Sequence, residues 1–595
     1  MLFKSFDPKK YESELKSIFD SIFALDEIDQ RLLRKILSKY PKDGDKVFSK
    51  DNLVRGFEYL KEKKLIDPET VLPTILIMKP TRTLSGVTTV TVLTKPYPCP
   101  GKCIFCPNDV RMPKSYIANE PGAQRALNNK FNPYFQAFNR LTALKAIGHP
   151  TEKIELIILG GTWSYYPGNY QRWFIKECFR ALNDFGSNQT QVDFSKLKSS
   201  AQKLKSTEKM NKKLREEIGE TTYNALISTK SYKQAFKDYI SKETRVSWED
   251  LFKEQQTNER TVSRCVGLVL ETRPDTLNAK QVLSLRRLGA TKIQIGVQTL
   301  DEGIGILNRR EETKAQISKA FKLLRSAGFK IHAHIMPNLH GATPERDLEV
   351  YKELFESPDF KPDELKIYPT SIIANTELHA LHKAGDYTPY DEQTLIDLLA
   401  DFMEITPEYC RLTRVMRDIP STEIKAGNKR SNLREVVEQK LKQEDRKNEN
   451  IRAREIRDEK FKIKDLKLDI VEYETSNSTE YFLQFITNKR KIAGFLRLSI
   501  PHIEYVSNNP ITSDLDGSAI IREIHVYGPS LEIDKDSSGE AQHIGLGTKL
   551  IEQAKKITHE NGFTRLTVIS SIGTREYYRK KGFKDSGLYQ NLDLE

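Results

Sequence analysis

Three thiols stand close together in "YPCPGKCIFCPND", residues 97–109, with the spacing CxxxCxxC: Cys99, Cys103 and Cys106. A [4Fe–4S] cluster is normally held by four thiolates. Three leave one iron without a protein ligand, and an open position of that kind can take a substrate or a cofactor, as it does at catalytic zinc. Zinc is the competing chemistry, but it wants a fourth ligand, usually from another CxxC or an HxxxH pair. The other cysteines, Cys178, Cys265 and Cys410, are scattered singly in apolar segments and read as small core residues. A second constellation lies near the C-terminus. Gln542-His543-Ile544-Gly545-Leu546-Gly547 is QxxGxG ahead of a helical pattern that opens at about Thr548. Gly545 and Gly547 let backbone N–H groups approach a ligand, and the helix adds its positive end, which together cradle a pyrophosphate. A lone glycine loop is weak evidence; its surroundings decide.

The elements that must position these residues alternate. "GVTTVTVLT" runs into the cysteine loop, and short apolar strands follow between helical segments: "IELIILGG", "VGLVLETRPD", "KIQIGVQT", "KIHAHIMP" and "ELKIYPT". Strand and helix in turn predict an α/β fold with a parallel sheet or barrel. In such folds ligands gather at the C-terminal strand ends. Gly160, Gly161, Thr162, Glu271, Arg273, Gln298 and Pro337 all fall at or just past such ends. His332 and His334 alternate along one strand and therefore share a face. They fit a pocket lining, and core histidines equally well.

Four blocks result. Residues 1–75 read as a small basic helical domain. Residues 76–410 hold the alternating α/β region, interrupted by a lysine-rich helical insertion at about 186–262. Residues 411–465 form a basic linker. Residues 466–595 form a second α/β domain that begins with alternating strands. The chain has 595 residues, a charged fraction of 30% and a net charge of +13, and a surplus of that size favours a polyanionic partner. No apolar run reaches membrane-spanning length, and the N-terminus has no apolar signal core, so a cytoplasmic protein is expected.

CxxxCxxC with Phe105 before the last cysteine resembles the signature of radical S-adenosylmethionine (SAM) enzymes. That resemblance implies a partial (βα) barrel and a [4Fe–4S] cluster on Cys99, Cys103 and Cys106. SAM would chelate the open iron and yield a 5′-deoxyadenosyl radical. It also implies that Gly160-Gly161-Thr162 approaches the SAM amino group, with Glu271, Arg273 and Gln298 in reach of the carboxylate or ribose. Glu271 and Arg273 could equally be a structural ion pair. The C-terminal block, with "LTVISSIGTREYYRKKGF" after the glycine loop, resembles a GCN5-related N-acetyltransferase, which binds acetyl-CoA. There the strand Glu523-Ile524-His525-Val526 pairs with the pantetheine arm, Gln542 to Thr548 hold the pyrophosphate, and Tyr577 or Tyr578 lies near the thioester sulfur.

Both centres together, with "ILGGTW", "LETRPD", "HAHIMPNL", "RVMRDIP" and "REIHVYG" in order, resemble the Elongator protein 3 family. The resemblance implies carboxymethylation of carbon 5 of the wobble uridine in the tRNA anticodon arm, with acetyl-CoA as the carbon source. It implies that Lys153 reaches the acetyl-CoA. Two features depart from the pattern: the 186–262 insertion, and Ala453 where relatives often carry a cysteine. The resemblance leaves action alone and action with other Elongator subunits both open. The competing reading is a protein lysine acetyltransferase with a structural iron–sulfur domain, in which Glu523 or His525 serves as the base.

Overall fold

The computed structural model describes residues 6–594 apart from 26–27, 44–45, 79–82, 84, 108, 110–111, 188–244, 457–464 and 528–543. The N-terminal block forms α1 (Glu12–Phe23), α2 (Gln30–Lys39) and α3 (Lys50–Glu62). Asp29 caps α2 by accepting from Leu32 N at 2.7 Å. Leu15, Ile18, Phe19 and Ile22 recur at helical spacing and are buried with Leu53, Phe57 and Leu60 of α3 in a core of their own. Gly56 permits this close approach, since a Cβ there would stand 2.5 Å from Leu15 Cδ2.

The strands of the central region are β1 (Thr88–Leu93), β2 (Lys153–Leu159), β3 (Arg264–Thr272), β4 (Lys292–Gln298), β5 (Lys330–Ile335) and β6 (Glu364–Ile367). The short β7 (Ile372–Ile373) stands apart, β8 (Arg411–Arg414) follows β6 in the sheet, and β9 (Ile424–Ala426) pairs with β7. The sheet runs β1-β2-β3-β4-β5-β6-β8 and every pairing in it is parallel. Alternate residues of β4, β5 and β6 obey a strict period of two. Ile293, Ile295, Ile331, Ala333, Leu365 and Ile367 enter the apolar core. Lys292, Gln294, Lys330, His332, His334, Glu364 and Lys366 face the other way, into a cavity. A closed barrel fills its interior with branched apolar side chains. This sheet is a half-barrel with a polar interior.

The second domain contains β10 (Lys467–Glu474), β11 (Ser478–Ile486), β12 (Ile492–Pro501), β13 (Ser518–Val526), β14 (Arg565–Val568), β15 (Lys584–Ser586) and β16 (Tyr589–Asp593). Its sheet order is β10-β11-β12-β13-β14-β16-β15. β13 and β14 are parallel, and their pairing stops at Ile521 and Val568. Beyond that point β13 pairs only with β12, so Arg522–Val526 present a free edge. The apolar faces of both sheets merge into one core.

Two boundaries differ from the sequence expectation. The basic segment from 411 is no free linker at its start. Arg411–Arg414 is the seventh strand of the half-barrel, and Leu433, Val437 and Leu441 of the following helix are buried. Its arginines are held from within: Arg411 pairs with Glu455 at 2.5 Å, and Arg434 donates to Leu412 O at 2.8 Å. Of the expected insertion, residues 188–244 lie outside the described residues. Helix Trp248–Asn258 at its end packs on the helix Gly168–Gly186. Glu259 beyond it pairs with Arg575 and Arg579 of the second domain at 3.0 and 2.8 Å. Among the described residues no helix is long and apolar enough to cross a membrane.

A candidate active site between the two domains

One cavity of about 1330 Å³ runs from the cysteine loop, along the polar interior of the half-barrel, to the second domain. Cys99, Cys103 and Cys106 line one end, and Tyr577 and Tyr578 line the other. A β-strand delivers each group. β1 ends at Leu93 and hands the chain to the cysteine loop. β2 ends at Gly160-Gly161, where φ values of +134° and +79° exclude most side chains. A Cβ on Gly160 would lie 1.9 Å from Thr94 Oγ1, so only glycine lets the two strand ends meet. Thr162 then places its Oγ1 3.3 Å from Cys99 Sγ.

Two arginines face Cys103. Arg273 Nη1 lies 3.8 Å and Arg310 Nη1 3.7 Å from its sulfur. A hydrogen bond from Cys106 and these two cations hold the Cys103 thiol well below its ordinary pKa, against the opposing effect of burial. The Cys106 thiol moves up, through the same hydrogen bond and its burial. A thiolate flanked by cations is the state an iron ligand requires. Among the described residues no group of three or more His, Cys, Asp or Glu side chains is arranged to hold a single metal ion. Three thiols on one loop, with guanidinium groups beside them, fit a cluster better than zinc. Cys178, Cys265 and Cys410 are buried, as expected of core thiols.

Glu271 and Arg273 are not paired with each other. Arg273 pairs with Asp275 and with Glu312, both at 2.9 Å, and Arg310 pairs with the same Glu312 at 2.9 Å. Glu271 accepts from Tyr116 Oη at 3.3 Å and lies 3.7 Å from His334 Nδ1. Burial raises its pKa. Gln298 ends β4 with a left-handed φ of +68°, and its Oε1 is buried without a partner. Backbone strain and an unsatisfied acceptor thus coincide at one residue of the cavity wall.

At the far end, Glu523, Ile524 and His525 on the free edge of β13 line the cavity, whereas Val526 does not. Burial moves the His525 imidazole down to about 4, so it is neutral. Glu523 is clamped by Lys330, and by Arg497 Nε at 2.9 Å, and these cations keep it ionised against burial. A doubly paired carboxylate is a poor proton acceptor, which disfavours Glu523 as an acetyltransferase base. Gln542 and His543 lie outside the described residues, and Ile544 opens the helix Ile544–Glu560. Gly547 abuts Tyr577: a Cβ there would stand 2.6 Å from Tyr577 Oη. Among the described residues no neighbour lies within 4 Å of a Cβ on Gly545, Leu546 is buried, and Thr548 Oγ1 accepts from Lys581 Nζ at 2.7 Å. Lys153 is not brought to the cavity wall. It is half-buried at the start of β2, beside Arg264, and burial lowers its pKa.

The sequence reading missed Arg310, Glu312 and Lys366. The signal for Lys366 was present, since "ELKIYPT" alternates polar and apolar as "KIHAHIMP" does.

Comparison with known proteins adds to this geometry. Residues 362–443 match the model of the Radical_SAM C-terminal domain. The tRNA uridine(34) acetyltransferase of Methanocaldococcus jannaschii is 37% identical over 551 residues, covering 90% of this chain and 88% of that protein. Elongator complex protein 3 of Saccharomyces cerevisiae is 31% identical, covering 86% of this chain and 84% of its own. This chain belongs to the Elongator protein 3 family. The solved structure of the archaeal Methanocaldococcus infernus Elp3 with N-terminus deletion (1–46) superposes with a TM-score of 0.66 at 31% identity, over 86% of this chain and 99% of that one. Family membership makes the chain a radical SAM enzyme. The half-barrel, the cysteine loop and the Cys103 environment fit the [4Fe–4S] cluster and SAM of that class.

Proposed function

We propose that this chain modifies uridine 34 of tRNA, adding a carboxymethyl group derived from acetyl-CoA to carbon 5 of the base. The supporting observation is the single cavity that joins the cysteine loop to the free edge of β13 and to Tyr577. A radical made at one end can act at the other only if both face one enclosed space. When bound, a [4Fe–4S] cluster with SAM supplies a one-electron cleavage that makes a hydrogen-abstracting radical.

The chain's own residues do the rest. Cys99, Cys103 and Cys106 hold iron, with Arg273 and Arg310 stabilising the Cys103 thiolate. Gly160, Gly161 and Thr162, together with Glu271 and Gln298, border the SAM position. The edge Glu523–Val526 offers backbone groups to the pantetheine arm, as an added strand would pair. The helix beginning at Ile544, with Gly545 and Gly547, receives the pyrophosphate. Tyr577, whose hydroxyl stands beside Gly547 in the first turn of that helix, would place a hydroxyl near the thioester sulfur. Lys153, although not on the cavity wall, is the lysine that would reach the acetyl-CoA. Arg411, Arg414, Arg417, Arg434 and Arg452 line the cavity mouth and, with the basic helical block 1–75, attract the phosphates of the anticodon arm.

The test is anaerobic. The reconstituted chain is given dithionite, SAM, methyl-labelled acetyl-CoA and bulk tRNA, and the digested tRNA is read by mass spectrometry. Label on wobble uridine, with 5′-deoxyadenosine formed, is expected. Cys103→Ser should lose both while retaining tRNA binding. Acetyl-lysine on added protein with no tRNA label would favour the acetyltransferase reading instead.

A further inference from the structure

Carbon 5 is present in uridine and cytidine alike, so chemistry at that carbon does not by itself select uridine. Selection must come from the edge carrying N3 and the substituent at C4. Uracil presents an N3–H donor beside an O4 acceptor there. Cytosine presents the reverse, an N3 acceptor beside an amino donor.

The cavity wall holds a complementary pair that the reaction outlined above does not use. His334 on β5 and Lys366 on β6 are register partners on adjacent parallel strands, about 4.8 Å apart, and both face the cavity. His334 is 4% exposed, and its Nε2 is buried with no hydrogen-bond partner. Its other nitrogen, Nδ1, lies 3.7 Å from the carboxylate oxygen Glu271 Oε1. That neighbour favours the tautomer with its proton on Nδ1 and leaves Nε2 a bare acceptor. Burial and the neighbouring Lys366 hold the imidazole neutral. Lys366 Nζ donates to Gln294 Oε1 at 2.6 Å, and among the described residues no carboxylate lies within ion-pair distance of it. Its remaining protons are directed to no acid, unlike those of Lys292 and Lys330 on the same interior. Beside the pair stands Tyr368, half-buried, with its ring centroid 5.7 Å from that of His334 and 5.9 Å from Lys366 Nζ. A half-buried aromatic ring at a polar pair is a stacking platform for a base.

We infer that His334 and Lys366 read the uracil edge, His334 Nε2 accepting from N3–H and Lys366 Nζ donating to O4, with the base stacked on Tyr368. This rests on the uridine reading above. Cytosine would set acceptor against acceptor and donor against donor, which leaves two buried groups unpaired. Three strands separate β2, which carries Gly160 and Gly161, from β6, so the pair lies away from the glycine end of the SAM position.

The test uses the reconstituted full chain and anticodon stem-loops carrying uridine, cytidine or 3-methyluridine at position 34. Modification of the cytidine and 3-methyluridine RNAs should fall at least tenfold below that of uridine, the scale of one lost buried hydrogen bond. Affinity for all three should stay within about threefold, since phosphates dominate it. Equal modification of uridine and 3-methyluridine would overturn the inference and leave the uridine reading standing. No modification of the uridine RNA would overturn both. In His334→Ala, turnover of uridine should fall at least tenfold and the penalty for 3-methylation should shrink. An undiminished penalty, or a tenfold loss of SAM affinity in that variant, would assign His334 elsewhere. Iron content and thermal melting of the variant report its folding, and the comparison among the three RNAs with the unaltered chain needs no variant at all.

Discussion

Two sets of buried polar residues meet at the domain boundary, and they are built in opposite ways. Asp363 ends the loop before β6. It receives Arg522 at 2.7 Å from each of two nitrogens, Arg522 also reaches Glu480 at 2.6 Å, and Arg497 stands 3.4 Å from Asp363. All four side chains are essentially inaccessible, and each charge has an opposite neighbour. One residue further on, the chain enters the cavity wall, where among the described residues Gln298 Oε1 and His334 Nε2 have no hydrogen-bond partner and Lys366, bonded to Gln294 Oε1, has no carboxylate at ion-pair distance. A closed set of charges fixes the docking of the second domain on the half-barrel. An open set, held at similar burial, leaves polar atoms of the cavity wall available for hydrogen bonding. Burial alone therefore does not separate the two sets; in the first each charge has an opposite neighbour, although Arg497 Nη1 makes no hydrogen bond, and in the second neutral acceptors and a lysine stand without one.

This contrast can be broken most forcefully at Arg522. Arg522→Ala leaves Asp363 and Glu480 buried without their cation, and should cost about 3–5 kcal/mol of stability, measured by denaturant unfolding. A loss under about 1 kcal/mol would mean the cluster does not hold the domains. The acid side gives a second reading of the same cluster. Burial opposes ionisation of Asp363, but Arg522 and Arg497 outweigh it and hold its pKa below the usual 3.8. Its stabilising contribution is thus complete above that pH and lost as pH falls below it. The advantage of the unaltered chain over Arg522→Met should shrink over that interval in thermal melts.

Lys366→Met should do the reverse. Melting temperature at pH 7 should hold or rise, because an unpaired buried ammonium is replaced by an apolar chain, while uridine modification falls at least tenfold. Burial lowers the Lys366 pKa from 10.5 to about 7. Between those values the unfolded chain binds the extra proton, so the unaltered protein gains stability as pH rises, and Lys366→Met does not. A melting difference between the two that stays flat from pH 7 to 10 would contradict a desolvated lysine. The smallest effect belongs to an exposed pair. Arg430→Ala removes a contact to Glu392 at 2.5 Å, with both side chains about half exposed, and should leave the melting temperature unchanged within error.

Much of the site was legible beforehand because its parts are local. CxxxCxxC is a loop property, the Gly160-Gly161 turn follows directly from its strand, and the pattern of short apolar segments announces a parallel sheet. The Arg411 boundary was misread because a strand of charged residues looks like a linker when its partners, Glu455 and Leu412 among them, are distant or backbone groups. Lys366 was overlooked although its strand alternates polar and apolar, because alternation places it on one face without showing that no acid stands opposite it. Glu271 and Arg273, two residues apart, suggested a pair. β3 ends at Thr272, so Arg273 has left the strand for the following turn, and the two have different neighbours, His334 and Tyr116 for one, Glu312 and Asp275 for the other.

The sequence by itself determined the chemistry available: three thiols with one iron position to spare, a glycine loop before a helix, and strands whose ends carry polar groups. Tertiary structure decided which of these share a space. Arg273, just past β3, and Arg310, in the loop after the helix Glu302–Leu307, reach Cys103 from segments 170 and 207 residues away in the chain. The β13 edge faces the half-barrel because contacts between distant parts of the chain hold the second domain there, among them Arg522 on Asp363 across 159 residues of chain and the shared apolar core. Pairing across such separations is set by packing and by the cost of burying a lone charge, which no local pattern of residues records.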